Sequence, residues 1–388
     1  MRILHIVPGI DQKLGGATYA LINILKIEKI LDFESEVLTF FTDAKDESLE
    51  NLATIHRFES SFPTRFSRSR DTNSWLRNNA KNFDVAVIHG VWGFMQVEAA
   101  KILHRVQTPF VIWPHGSLDP FDLQKKRYAK RMLGPILVRS MLEQCSAVFC
   151  TAQLEAEKLE RYGAAPEIRS IPLPVSTLPI KGDRARFRQR FKFSEEDFVF
   201  LFLSRIDYKK GLNLLIPAFS KLIRRFPQLK LAIAGSGSTD YEEKVQKWIA
   251  EYGVGANVAL CGFLSGNDKV DAFAGSDCFV LPSMNENFGI AIVESLSMGL
   301  PVLISNNVYI WNEILREGGG WVCEYSTESL SDVISQIIDN PVELQAKKDN
   351  AKKAARQFAP NSLAPLYRQL YQSIVTNRKA QCRQPTKS

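Results

Sequence analysis

The chain has 388 residues, 45% hydrophobic and 23% charged, with a net charge of +7. That length exceeds one ordinary core and predicts two domains, while the composition is that of a globular protein without a segment approaching the roughly 18 apolar residues of a membrane span. Ten Lys/Arg against one Asp from Lys347 onward put the positive charge at the C-terminus, so the remainder sums to about −2, which excludes a nucleic-acid-like basic body.

The start, "MRILHIVPG", is too short an apolar stretch for a signal peptide and reads as a first strand. Behind it, short β-branched runs alternate with helix-length amphipathic segments. The strands of the first half are "RILHIV", "SEVLTF", "DVAVIHG", "FVIWPHG", "AVFCT" and "EIRSIPL". Helices lie among them: "GATYALINILKIEKI", "FMQVEAAKILHRV", "FDLQKKRYAKRMLGPILVRSMLEQ" and "QLEAEKLERYG". After the proline-rich stretch "PLPVSTLPIKGDRAR" the alternation restarts. Its strands are "DFVFLFLSR", "LKLAIAGSG", "NVALCGF", "DCFVLPS" and "PVLISNN"; its helices include "GLNLLIPAFSKLIRRF" and "YEEKVQKWIAEYG". Such alternation predicts an α/β chain of two doubly wound, parallel-sheet domains with an interdomain cleft. The boundaries expected are 1–178 and 179–357. A helix over 358–376 crosses back to the first domain, and a basic, disordered tail over 377–388 ends the chain.

None of the six cysteines forms a CxxC pair, and no histidine is spaced from another ligand as in a zinc site. Buried free thiols in a reducing, cytoplasmic setting and no metal are the expectation.

Ligands of doubly wound sheets bind at the carboxyl ends of strands, so residues that follow strands deserve the closest reading. Gly15-Gly16 opens a helix after the first strand, either as a phosphate-binding start or as a plain turn. His89 and His115 each end a strand and precede a glycine, as proton-handling or as structural residues. In "SRIDYKKG", Arg205 and Lys210 converge beyond a strand as a diphosphate would require, unless this is a solvated turn. Gly235 and Gly237 allow close backbone approach by a ligand or by a neighbouring element. Phe263 either flanks a nucleobase or belongs to the core.

The most specific stretch is "NENFGIAIVES". Glu286 lies in the loop ahead of a helix, Gly289 at its start, and Glu294 within it, with Ile290 on the same helix. Two carboxylates so placed suit the vicinal hydroxyls of two sugar rings, and the amides from Asn287 and Phe288 to Ile290 can hold an anion.

Taken together, "ENFGIAIVE" resembles the E-x7-E motif of retaining glycosyltransferases of the GT-B fold. "SRIDYKKG" is similar to their Arg-x4-Lys-Gly segment, "AGSG" to their A-G-x-G strand end, and "LGGATYAL" to their glycine loop. The ordered resemblance, from residue 2 to about residue 340, is to the large fourth family of glycosyltransferases. It implies a nucleotide-diphosphate sugar as donor, a saccharide or lipid-linked acceptor, no required metal, and no nucleic-acid partner. By the same resemblance Glu294 holds the ribose, Glu286 contacts the donor sugar, and Arg205, Lys210 and Gly16 neutralise the diphosphate with help from the Asn287–Ile290 backbone. Gly235, Gly237 and Phe263 complete the donor side. His115 matches the family's active-site histidine, and His89 a less constant acceptor-side position.

Two departures stand out. The glycine-rich loop usual after the E-x7-E helix is "SNNVYIWNEIL", with Tyr309 and Trp311 in place of small residues, and the usual "PNGVD" is "IPLPVS". Chains with "IW-x-EI" tend to build bacterial surface polysaccharides. The basic half of "DLQKKRYAKRMLGPILVRSMLEQ" leaves peripheral contact with the inner face of a membrane open beside an ordinary surface helix. A non-catalytic sugar-nucleotide sensor and a GT-B epimerase or phosphorylase are the rival readings.

Overall fold

The computed structural model describes residues 1–10, 16–40, 47–60, 68–119, 138–160, 167–178 and 181–381. The chain divides into two compact units, residues 1–174 with 360–388, and residues 175–359.

In the first unit, seven parallel strands run in the order β3-β2-β1-β4-β5-β6-β7 among the described residues. They are β1 (Arg2–Ile6), β2 (Glu34–Phe40), β3 (Thr54–Phe58), β4 (Val85–His89), β5 (Phe110–Trp113), β6 (Ala147–Cys150) and β7 (Ile168–Ser170). Central strands are buried along their whole length, as parallel strands covered on both faces must be. The period of two is visible in β2. Leu38 joins a core with Leu4, Ile88 and Ile112, whereas Val37 faces the opposite core with Leu21 and Leu25 of the helix Gly16–Ile30. The C-terminal helix Pro360–Gln381 belongs to this unit. Tyr371 packs edge-on against Phe33 and Phe149, and the Tyr367 hydroxyl donates to the Pro172 carbonyl at 3.1 Å.

The second unit has, among the described residues, six parallel strands in the order β10-β9-β8-β11-β12-β13. These are β8 (Phe198–Leu203), β9 (Leu229–Ala234), β10 (Val258–Gly262), β11 (Cys278–Leu281), β12 (Val302–Ser305) and β13 (Gly320–Cys323). The starts of its two central strands, β8 and β11, are tied by Arg188, which is 1% exposed on the helix Arg184–Phe191. Arg188 donates to Asp277 Oδ2 (2.7 Å) and to the Gly275 carbonyl (3.0 Å), while Asp277 Oδ2 also accepts from the Val199 amide (2.9 Å).

Three expectations fall on other residues. Gly15, most of the basic segment 122–144 and residues 382–388 of the tail lie outside the described residues, while residues 377–381, expected in that tail, continue the helix Pro360–Gln381. The end of that segment, Arg139–Gln144, is helical. Cys145, Cys150, Cys261, Cys278 and Cys323 are free and buried. Among the described residues no His/Cys/Asp/Glu group has the arrangement of a metal site, and no helix is long and apolar enough to cross a membrane.

Candidate functional site

In the second unit, connections from β8 run one way along the sheet and those from β11 the other, so the crevice beyond these two strands is the switch point where ligands bind in such sheets. The β8 loop supplies Arg205 and Lys210; the β11 loop supplies Asn285 to Ile290. Lys210 closes a 3-10 turn, Tyr208–Lys210, whose start is capped by Asp207. The next residue, Gly211, has φ +81°, and a Cβ there would lie 2.0 Å from the Pro282 carbonyl, so only glycine lets the two loops meet. The loops are further joined by the Met284 amide donating to the Lys209 carbonyl at 2.7 Å.

Across this junction Lys210 Nζ is ion-paired with Glu286 Oε2, both side chains largely buried. The backbone of Glu286 is pinned on both sides. Its amide donates to the Asn307 carbonyl (3.1 Å), and its carbonyl accepts from the Tyr309 amide (2.9 Å). The Tyr309 ring, buried to 3% exposure, accepts at its hydroxyl from Asn285 Nδ2 at 2.6 Å. The bulk that replaces a small residue at position 309 is thus taken up as a brace for the Glu286 loop. Arg205 is exposed, with no ion pair among the described residues.

The helix Ile290–Ser297 starts from Gly289 at φ +77°. Among the described residues the amides of Gly289 and Ile290 have no internal partner, which leaves donors at a helix start for an anion. Asn287 Nδ2 is buried without a partner, a costly state for a donor unless something else accepts from it. The Phe288 ring is core, edge-on to Phe358 at 5.3 Å, so this residue can serve a ligand only through its backbone. Glu294 Oε1 is paired with Lys269 Nζ at 2.7 Å, a lysine of the helix Gly266–Gly275 that the sequence reading did not single out.

Gly235 and Gly237 have reasons of their own. A Cβ at Gly235 would meet the Ser204 carbonyl at 1.8 Å, and one at Gly237 the Ile206 carbonyl at 2.0 Å. Their amides are also used, donating to the Gly262 carbonyl (2.7 Å) and to Glu242 Oε1 (2.5 Å). Close approach by a neighbouring loop, one of the two readings open in the sequence, is what the structure displays. Phe263 is 62% exposed, an aromatic face that packing does not explain.

In the first unit the switch point lies between β1 and β4. Gly16 starts the helix after β1, and none of the described residues comes within 4 Å of where its Cβ would be. His89 ends β4 and His115 follows β5 at φ +49°, with Gly116 at +75°. A non-glycine residue in this region is strained, and here the strain is held in place. The Gly116 amide donates to Glu155 Oε1 (3.0 Å), and Thr151 donates through its amide and hydroxyl to Glu155 Oε2. His115 Nε2 and His89 Nδ1 are 2.8 Å apart, their rings stacked at 9°. Beyond His89 the contacts continue. His89 Nε2 meets His5 Nδ1 at 3.0 Å, and His5 Nε2 meets Glu28 Oε2 at 2.8 Å. Burial pushes the His115 imidazole down to about 4 from the usual 6.5. His89 is also pushed well below, by burial first and then by His115 and His5.

His5 and Glu28 had no assigned role in the sequence. Glu28 did carry a signal, a lone carboxylate in the apolar run "ALINILKIEKI", but Lys26 and Lys29 beside it make it look like an ordinary surface charge. It is fully buried.

Two family profiles match consecutive stretches of the chain, Glycosyltransferase Family 4 over residues 15–177 and Glycosyl transferases group 1 over residues 183–358. The chain belongs to these glycosyltransferases. It is 26% identical over 292 residues to the alpha-D-kanosaminyltransferase of Streptomyces kanamyceticus, covering 73% of this chain and 72% of that protein. It is 30% identical over 264 residues to the mannosylfructose-phosphate synthase of Agrobacterium fabrum, covering 60% and 55%. The chain spans about half the length of several curated relatives that it matches, 43% in one case and 55% in two. Among solved structures, Anabaena Alr3699/HepE in complex with UDP and glucose superposes with a TM-score of 0.79 at 20% identity, over 96% of this chain and 100% of that one. The two Rossmann-like units of this glycosyltransferase are those of a GT-B fold.

Proposed function

We propose that the chain is a retaining, metal-independent glycosyltransferase that moves a sugar from a nucleotide-diphosphate sugar to a hydroxyl of a saccharide or lipid-linked acceptor, in the synthesis of a bacterial surface polysaccharide or glycolipid. The observation that carries this reading is the Lys210–Glu286 pair at the switch point of the second unit, beside the unpaired amides of Gly289 and Ile290. Charge must be neutralised on a departing diphosphate, and preorganised cations and amides do this without reorganising at the moment of reaction. Lys210 and Arg205 supply the cations. As the diphosphate draws Lys210 away from Glu286, that carboxylate is released to accept from sugar hydroxyls, so one exchange of partners serves both groups. Glu294, with Lys269 as its resident partner, takes the ribose hydroxyls, and Phe263 offers a face to the base. His115 and His89 serve the acceptor side of the first unit.

Retention follows if the acceptor hydroxyl attacks from the face that the diphosphate leaves, a phosphate oxygen taking the proton. Names of relatives favour sugar transfer to small-molecule and lipid acceptors: one is an alpha-monoglucosyldiacylglycerol synthase. The Anabaena structures with UDP and UDP-glucose make uridine donors the first to try.

The test is a thermal-shift screen of the full chain against UDP, GDP, ADP and their common sugars, followed by turnover of the stabilising donor and NMR of the anomeric product. One nucleotide series is expected to raise the melting temperature by mass action, with Glu294→Ala weakening nucleotide and sugar nucleotide alike. Glu286→Ala is expected to retain the nucleotide and lose turnover. An inverted anomer would remove the retaining assignment, and binding without any transfer or hydrolysis would favour a sensor.

A further inference from the structure

The histidine pair of the first unit is the outer end of a longer buried line: His115, His89, His5, Glu28, and from Glu28 to Tyr371 on the C-terminal helix. Successive contacts are 2.8, 3.0, 2.8 and 2.6 Å. His5, His89 and Glu28 are at most 3% exposed. The line therefore exchanges hydrogen bonds within itself, and its far end decides the direction in which they point.

At that end the donors are fixed. The Tyr371 hydroxyl stays protonated, because burial and the facing Glu28 carboxylate both oppose its ionisation, so it donates to Glu28 Oε1. Ser35 Oγ donates to Glu28 Oε2 at 2.7 Å. A carboxylate that receives two hydroxyl donors is an acceptor for the third neighbour as well, so His5 donates from Nε2. A neutral imidazole that donates at one nitrogen accepts at the other. With His5 neutral, its Nδ1 accepts from His89 Nε2, and His89 Nδ1 accepts from His115 Nε2, whereas a His5 carrying hydrogens on both nitrogens would reverse the line. His115 Nε2 carries the hydrogen, and Nδ1 is left as a lone pair, with no internal partner among the described residues. Neither His115 nor His89 takes up a proton readily at neutral pH, which keeps the polarity in place.

We propose that Glu28 is a positioning residue that acts through His5 and His89 to hold His115 as the neutral Nε2–H tautomer, so that its Nδ1 accepts a hydrogen bond from a substrate hydroxyl. The tautomer is a property of the folded chain alone. Its use by a substrate rests on the placement of His115 in the transferase site. Opposite polarity would present an N–H at Nδ1 and suit a substrate oxygen that carries no hydrogen. A buried carboxylate some three side chains away thus sets whether the outermost ring is an acceptor or a donor.

The test uses the full chain with 15N-labelled histidine, which has only five such residues to assign, His5, His56, His89, His104 and His115. Long-range 1H–15N correlation at neutral pH is expected to report Nε2–H for His5, His89 and His115. An Nδ1–H form of His115 in the unaltered protein overturns the proposal, and this measurement depends on no variant. Glu28→Gln, whose amide can donate or accept, is expected to abolish the single tautomer at His115 and lower kcat by about ten-fold or more with the donor KM nearly unchanged. Tyr371→Phe keeps the carboxylate and serves as the control, losing thermal stability but retaining the tautomer. Unchanged ring shifts in Glu28→Gln would refute the control by Glu28. A changed tautomer with unchanged kcat would refute the positioning role and leave the transferase assignment standing.

Discussion

Burial keeps the His115 imidazole neutral in the folded chain until about pH 4, whereas in the unfolded chain the same ring takes a proton near 6.5. Between these values the unfolded state binds more protons, so stability rises with pH across that window. The contribution is fully present above about 6.5 and is lost as pH falls toward 4. Its size is of order 3 kcal/mol, at 1.36 kcal/mol per pKa unit. Trp113 stacks on both rings and His5 faces His89, while Glu28 and Tyr371 lie one and two contacts further in, behind His5. His115→Asn should flatten this part of the pH profile, and asparagine tolerates the positive φ of the site. Urea midpoints at pH 7, 6 and 5 for the two proteins check it: parallel profiles would mean that His115 does not carry the dependence. At this scale the sequence made the local members of the site legible. Glu286, Gly289 and Glu294 stand within nine residues of each other, and Arg205 lies five from Lys210. Members joined only by folding stayed hidden. His5 and His89 are 84 positions apart, and Tyr371 and Glu28 343, so no spacing pattern can announce them.

The elements legible in the sequence bury an apolar face, and polar or edge elements escape its pattern. The helix Gly16–Ile30 and the central strands of both sheets fall where periodicity puts them. The sequence pattern does not mark β3 and β13, both at sheet edges, because β3 ("TIHRF") carries histidine and arginine and β13 ("GWVC") is four residues long. Nor does it mark the helix Arg70–Asn79, which buries only Thr72 and Leu76, or the helix Arg184–Phe191, whose four arginines look like a solvated face. That last helix buries a single ring, Phe187, and beside it a charge where an apolar stripe would stand. Arg188 joins it to Asp277 at the start of β11 and, through the Val199 amide, to β8. Removing one partner of a buried pair leaves the other uncompensated. Arg188→Ala should therefore cost about 3 kcal/mol, read as a lower urea midpoint at unchanged m-value. Arg184 and Lys348, within 3.4 and 3.9 Å of Asp277, keep the loss from being larger. A change under about 0.5 kcal/mol, the range of ordinary surface substitutions, would show that the ion pair does not anchor the helix.

On the scale of the whole molecule, the two units differ in how continuous their chain is. The second is one segment, residues 175–359, with its own six-stranded core and, Gly16 apart, the charged and amide groups assigned to the donor. The first is assembled from residues 1–174 and a helix that arrives only after residue 359. That helix covers the inner end of the histidine line and places two fully buried tyrosines, Tyr367 and Tyr371, against Trp113 and Phe149. Burying two tyrosine rings contributes several kcal/mol at roughly 25 cal/mol per Å2, comparable with the total stability of a domain. A fragment of residues 175–359 should accordingly unfold cooperatively and show a nucleotide-dependent rise in melting temperature of its own. A fragment of residues 1–174 should lack a cooperative transition and regain it when a peptide of residues 360–381 is added. Circular dichroism melts of the three samples decide the matter. A cooperative melt of 1–174 alone, at the temperature of the full protein, would show that the C-terminal helix is an accessory to a core already complete without it.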